Sequence, residues 1–201
     1  MARDGSAVEL LGDRAHKREL PVPIVTPRLE LRPFRESDIG AITELLADPG
    51  ATRFIGDVKS PAAAAESVRL MADAFADRGW GTLAVVPRGQ IDCVGYCGVR
   101  PLAHTPEVEI AFALRQSCWN LGFATEAAAA SIDVAFKTLG IQSIVATVYP
   151  ENTRSLRVLA KLGLKHESRV FGHWPMRIAL LFRIKRTEWR GAATAASMLP
   201  L

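Results

Sequence analysis

Three groups of residues combine types and spacings that can do chemistry. In the stretch Glu107–Glu126, EVEIAFALRQSCWNLGFATE, the side chains alternate as on a strand. Val108, Ile110, Phe112 and Leu114 share one face, and Glu107, Glu109, Ala111 and Ala113 share the other. One face is core; the other is small and carries a carboxylate. The turn that follows, Trp119-Asn120-Leu121-Gly122-Phe123-Ala124, runs into Thr125, Glu126 and an alanine-rich helix. Such a turn presents unpaired backbone N–H groups and the positive end of a helix dipole, a combination suited to phosphate or diphosphate. Gly122 allows close approach of a ligand to the backbone and Ala124 keeps the next contact small, although a glycine before a helix also serves simply as a turn. The third group is Asn152 and Ser155, three apart at the head of a further helix. On residue type alone they read as an N-cap and a first-turn serine.

The elements that must position these groups follow from periodicity and punctuation. A strand is predicted over Leu29–Phe34, and Ser37 is the expected N-cap of a helix carrying Ile39, Ile42, Leu45 and Leu46, stopped by Asp48-Pro49-Gly50. Ser60-Pro61 opens a second helix whose buried side is Val68, Met71 and Phe75, closed at Gly79. Thr82–Val86 and Ile91–Val99 read as a strand pair joined by Pro87-Arg88-Gly89-Gln90. The Glu107–Leu114 strand and the alanine-rich helix come next, the helix ending at Gly140. Ile141–Val148 is then a buried strand, and Asn152–Leu162 a helix capped by Gly163. The strand–helix–strand–helix order brings those two strands close together in a mixed sheet. Glu167–Val170 and Ile178–Ile184 complete it.

The turn and the second stretch, Asn152-Thr153-Arg154-Ser155 running to Lys161-Leu162-Gly163-Leu164, together resemble the GCN5-related N-acetyltransferases (GNAT), in particular the branch that acetylates ribosomal proteins (RimJ/RimL-type). That branch usually has a tryptophan-glycine-lysine-glycine-tyrosine-alanine-threonine-glutamate-alanine turn, then asparagine-x-x-serine and a lysine-leucine-glycine-phenylalanine ending. Thr26-Pro27-Arg28-Leu29, Leu31-Arg32-Pro33-Phe34 and the aspartate after them extend the resemblance to about residues 24–189. It implies an α+β fold with a mixed, mostly antiparallel central sheet of about seven strands flanked by about four helices. It also implies acetyl-CoA as cosubstrate, no metal, and transfer to a primary amine. The acceptor is then a protein N-terminus or a small molecule such as an aminoglycoside, polyamine or amino-acid derivative.

By the same resemblance, acyl-coenzyme A enters a gap beside the central strand, with backbone groups of Phe112 and Leu114 pairing with pantetheine amides. The diphosphate rests on N–H groups of Trp119, Asn120, Leu121, Gly122, Phe123, Ala124 and Thr125, and Asn152 bonds the coenzyme arm. An alkylammonium with a pKa near about 10 is mostly protonated at neutral pH, so transfer needs a base, directly or through one water. Glu109 is the candidate base, and it reads equally as an exposed carboxylate at a sheet edge. Ser155 matches the serine placed near the thioester sulfur, as proton donor or hydrogen-bond partner, with Tyr149 as a fallback donor. The turn departs from its relatives at Asn120, where glycine is usual, and at Leu121, where a basic residue is usual. Arg177 and Ile178 stand near a position that is commonly acidic. Leu121 is the feature that favours a rival reading, a catalytically silent acyl-CoA-binding module of the same fold.

Composition is that of an ordinary globular chain: 201 residues, 49% hydrophobic and 23% charged, which fits one domain. Residues 1–20 read as a flexible leader, 21–190 as the N-acetyltransferase domain and 191–201 as a flexible tail. No apolar run approaches the roughly 20 residues that span a bilayer and no secretory signal is evident, so the expected address is cytoplasmic with no membrane partner. The net charge of +4, without an arginine-rich run interleaved with aromatics, gives no reason to expect nucleic acid. Cys93, Cys97 and Cys118 lack metal-site or disulfide spacing; the first two are read as small buried residues sharing a strand face. His16, His104, His166 and His173 stay outside the catalytic set, although His173 and Trp174 could line the acceptor pocket. Residues 48–60 and 168–177 are the expected acceptor loops, and a homodimer through the late strands is compatible with the pattern.

Overall fold

A computed structural model describes residues 18–172 and 177–192. Eight strands form one sheet: β1 (Ile24–Val25), β2 (Leu29–Arg32), β3 (Thr82–Pro87), β4 (Gly95–Pro101), β5 (Val108–Leu114), β6 (Ser143–Val148), β7 (Lys165–Phe171) and β8 (Ile178–Lys185). Their order is β1-β2-β3-β4-β5-β6-β8-β7. Neighbours are antiparallel except β5 and β6, which run parallel, as the helical crossover between them requires. The helices among the described residues are α1 (Ile39–Ala47), α2 (Pro49–Thr52), α3 (Pro61–Arg78), α4 (Phe123–Thr138) and α5 (Thr153–Lys161).

Alternation along the strands divides the core into two layers. Leu83 and Val85 of β3 turn toward α4 and pack with Ala128, Ile132, Ala135 and Phe136. Ala84 and Val86 turn to the opposite face, where Ile42, Leu45 and Leu46 of α1 and Val68 of α3 cover them. The small residues of α4 bring that helix down onto the sheet, so the turn that begins it sits close over the ends of the central strands.

The expected mixed, mostly antiparallel α+β architecture is what the chain forms, with several local corrections. The strand count is eight because Ile24–Val25 pairs with β2 ahead of the expected first strand. The helix count is five because Pro49 starts a further single turn just after the stop, with the Asp48 carboxylate accepting from Gly50 N. Ser37 caps nothing: the entry to α1 is a short 3-10 turn over Glu36–Asp38. The second hairpin strand begins at Gly95 rather than Ile91, so Cys93 lies outside it. Cys93 packs toward α1 and α3 and Cys97 toward α4, on opposite sides of the sheet. Both are buried, and burial pushes each thiol up to about 12. Ser60 caps α3 as expected, accepting from Ala63 N at 3.3 Å, and Gly79 ends it in the left-handed region at φ 77°. Leu20 is already buried and donates its N–H to Gly79 O. Residues 1–17 of the expected leader lie outside the described residues, as do His173, Trp174 and most of the expected tail; His16 falls among the former.

Arg32 and Asp38 form a buried bidentate pair, Nη1–Oδ2 2.7 Å and Nη2–Oδ1 2.9 Å, that ties β2 to the start of α1. Burial pushes the Asp38 carboxyl up, but bonds from the Arg32 guanidinium and the Arg35 backbone N–H outweigh it and hold it below its ordinary value. A carboxyl lowered in the folded state contributes stability above its unfolded pKa, near about 4, and loses that contribution as pH falls through the folded value. Asp38→Asn leaves the Arg32 charge buried and unpaired, and is expected to cost about 3 kcal/mol at pH 7. In chemical denaturation the gap between wild type and variant should shrink as the pH is taken below 4.

Candidate functional site

The site grows out of a failure of strand pairing. β5 is registered against β4 along its whole length, from Val108↔Pro101 to Leu114↔Gly95. Against β6 it pairs only at Glu109↔Val145. β6 in turn follows β8 over its full length, so beyond Glu109 the two parallel strands part and the sheet opens into a V. Arg115 N donates to Val94 O on the β4 side, and alternation along an antiparallel ladder then turns the backbone groups of Phe112 and Leu114 toward the gap. The Leu114 carbonyl already accepts from Trp119 Nε1 at 2.8 Å. That leaves its N–H and both polar groups of Phe112 as the edge offered to an extended ligand.

Glu109 stands at the vertex of the V. It is 6% exposed, and the strand that carries it is central, which removes the reading of a carboxylate at a sheet edge. Its partner is Arg100, directly across the β4–β5 register, whose Nε donates to Oε1 at 2.8 Å. Thr147 Oγ1, on the far arm of the V, approaches Oε2 at 3.5 Å. Burial of the carboxylate is thus compensated by one charge-assisted bond, while Oε2 keeps capacity for a further donor.

Ser155 reaches the same cleft from α5. Residues from β5, from β6 and from the start of α5 line it, among them Glu109, Phe112, Thr147, Tyr149, Asn152 and Ser155. Two of the sequence candidates, separated by most of a crossover unit, are thereby brought to one opening. Asn152 Oδ1 accepts from Ser155 N at 3.2 Å as the N-cap of α5, so the asparagine has a capping role whatever else its amide touches. Phe54 and Ile55, in the segment between α2 and α3, and Gly172 at the end of β7 also line the cleft. The first two fall within one expected acceptor loop and the third within the other.

The turn after β5 is shaped by two left-handed residues. Asn120 has φ 63° and Gly122 φ 82°, so the chain doubles back twice in the left-handed region before Phe123 begins the helix. Asparagine tolerates that region better than other side chains, so the backbone accepts Asn120 where the family resemblance leads one to expect glycine. Leu121 is half exposed, and its carbonyl accepts from Arg28 Nη1 at 2.8 Å. Glu126, buried in the first turn of α4, gathers Thr26 Oγ1 at 2.7 Å, Arg28 N at 2.9 Å and Arg28 Nε at 2.7 Å. The Thr26-Pro27-Arg28 segment is thus clamped under the turn. Sequence reasoning recognised both segments but not that they touch. It also missed Arg100, the partner of Glu109, and Arg154, whose guanidinium lies 4.5 Å from the centre of the Trp119 ring.

No group of three or more potential metal ligands occurs among the described residues, and none of their helices is long and apolar enough to cross a membrane.

A mixed sheet that parts between its two parallel strands, with a glycine turn and helix closing the end of one of them, is the GNAT fold. A family profile described as an acetyltransferase (GNAT) domain matches residues 28–165, and the chain belongs to that family. It is 26% identical over 147 residues to a protein of Bacillus licheniformis named uncharacterized N-acetyltransferase p20, covering 72% of this chain and 83% of that one. The crystal structure of a GNAT-family acetyltransferase from Bacillus anthracis superposes with a TM-score of 0.72 at 25% identity, covering 82% of this chain and 98% of the other. Mycobacterium smegmatis RimJ in complex with CoA-disulfide has the same fold, with a TM-score of 0.70 at 23% identity, covering 89% and 91%.

Proposed function

We propose that the protein is an acetyl-CoA-dependent N-acetyltransferase of the RimJ/RimL-like branch, acting by direct transfer within a ternary complex. The observation that carries this reading is the convergence of Glu109 and Ser155 on the cleft where β5 and β6 part. Family membership supplies the prior, and the residues present fit the cosubstrate. The edge of β5 at Phe112 and Leu114 suits the amides of pantetheine, and the turn from Trp119 to Thr125 suits the diphosphate. Bound there, acetyl-CoA supplies an activated acetyl group at the vertex of the V.

Glu109 takes a proton from the acceptor ammonium, directly or through one water, at the Oε2 that Thr147 only loosely engages. The neutral amine forms the new N–C bond as the C–S bond breaks; the Ser155 hydroxyl donates its proton to the departing sulfur and is reprotonated, directly or through water, by the proton that the acetylated nitrogen sheds. Arg100 keeps the carboxylate in place and balances its charge before the proton arrives. Phe54 and Ile55 on one rim and Gly172 on the other bound the space left for the amine, whether a protein N-terminus or a small-molecule amine. Gly172 is needed there, because a Cβ at this position would stand 2.3 Å from the Tyr149 hydroxyl. The silent-module alternative rests on Leu121; turnover that is lost on substituting Glu109 would rule it out.

Ser155→Ala is expected to lower kcat about ten-fold with coenzyme affinity unchanged, the size of one hydrogen bond to a charged leaving group. Steady-state kinetics with an amine found by panel screening checks this. An unaffected kcat would move the proton donor to Tyr149 or to solvent.

A further inference from the structure

We propose that Arg154 supplies the phosphate-binding cation that the turn lacks at Leu121, so that a phosphate of the coenzyme is held between the first turn of α4 and the Arg154 guanidinium. The inference rests on the acyl-coenzyme A reading above.

Three observations carry it. The first is that the guanidinium is placed at the turn by a fixed surface. Trp119 opens the turn, its ring is pinned because Nε1 donates to Leu114 O, and Arg154 lies over that ring at 4.5 Å. Leu114 belongs to the same strand edge that faces the gap, so the cation is indexed to the groove as well as to the turn. The second is that a cation–π contact uses none of the guanidinium's hydrogen-bonding capacity. Its five N–H donors lie in a planar fork that suits a bidentate oxyanion. The third is charge balance. Arg28, the other cation at the turn, is neutralised by Glu126 through Nε and Nη2 and is further held by the Leu121 carbonyl. Arg154 is exposed, and among the described residues no carboxylate is paired with it. It is therefore an uncompensated positive charge beside the cradle, already held in place by Trp119, which lowers the entropic cost of engaging a phosphate. Arg157, exposed one turn further along α5, adds to the local positive field.

The test is calorimetric titration with coenzyme A at low and moderate salt, using wild type, Arg154→Gln, and Arg154→Gln combined with Leu121→Arg. Arg154→Gln is expected to weaken binding about ten-fold and to flatten its salt dependence. Leu121→Arg, which restores a cation at the turn without restoring the stack on Trp119, is expected to bring affinity back to within about three-fold of wild type. Wild-type affinity in Arg154→Gln overturns the proposal. So does a loss that Leu121→Arg does not repair, which would mean that Arg154 only props up Trp119. Running 3′-dephospho-coenzyme A alongside separates the phosphate sources. A loss seen with both ligands assigns the diphosphate, and a loss confined to coenzyme A assigns the 3′-phosphate. Absence of any wild-type binding removes the acyl-coenzyme A reading itself, and the inference with it.

Discussion

Glu109→Gln is expected to reduce kcat by about 10²- to 10⁴-fold, the range for loss of a positioned general base, while leaving coenzyme affinity within about two-fold of wild type. The substitution preserves shape, and the amide oxygen can still accept from Arg100 Nε in place of the carboxylate oxygen now held at 2.8 Å. What disappears is the negative charge and its affinity for the proton of an ammonium. Arg100 is half exposed on its side chain, so water can solvate it once its partner is neutral, and the folded state loses little. This separates Glu109 from Asp38, whose arginine is buried and has no such recourse. Steady-state rates beside a thermal melt check the expectation. An unchanged kcat in a folded variant would mean that the amine reaches the thioester neutral by another route, such as a water chain ending elsewhere in the cleft.

Gly122→Glu is expected to weaken acetyl-CoA binding by at least about 1,000-fold, with loss of all measurable turnover at ordinary coenzyme concentrations. Three effects add. A side chain at φ 82° carries the left-handed penalty of roughly 1–2 kcal/mol; its bulk enters the space a diphosphate would occupy; and its charge repels the ligand at the position where the helix field most favours an anion. The same field stabilises a carboxylate at a helix N-terminus, so the fold is expected to tolerate the change. Near-wild-type binding by a folded Gly122→Glu protein would place the coenzyme somewhere other than this turn.

Much of the scaffold was legible because the determining signals are local. Ser60-Pro61 and Gly79 mark the two ends of α3, and strict alternation marks Val108–Leu114 as a strand. Ile24–Val25 was missed because the three residues between Pro23 and Pro27 are too few to show a period, and two of them become a strand only by lying against β2. Cys93 and Cys97 were placed on one face because alternation was counted through Gly95. That glycine, at φ 152°, begins the strand and comes so close to β5 that a Cβ would stand 2.1 Å from Ala113 O.

The site divides in the same way. Ser155 and the turn stand out as candidates because each sits in a short motif, and Glu109 because it is a carboxylate on the same face as the small Ala111 and Ala113. The gap between β5 and β6 was expected only through the family resemblance, because a break in pairing is a property of two strands and neither sequence announces it. Arg100, and the contact that Arg28 makes, escaped notice for a related reason. Arg100 matters through its cross-strand register with Glu109, and Arg28 through Glu126, 98 positions away. Arg154 was within the recognised stretch, but its role depends on a tryptophan 35 residues earlier (154 − 119). Conversely, the departure at Asn120 looked more serious in sequence than it is, because asparagine accepts the left-handed backbone that the turn imposes.

Calorimetric titration of the wild-type protein with acetyl-CoA decides whether the cleft is a coenzyme site. Saturable binding at one site per chain is expected, with heat that vanishes in folded Gly122→Glu. No saturable heat up to millimolar acetyl-CoA would contradict the assignment of an acetyl-CoA-dependent transferase to this cleft.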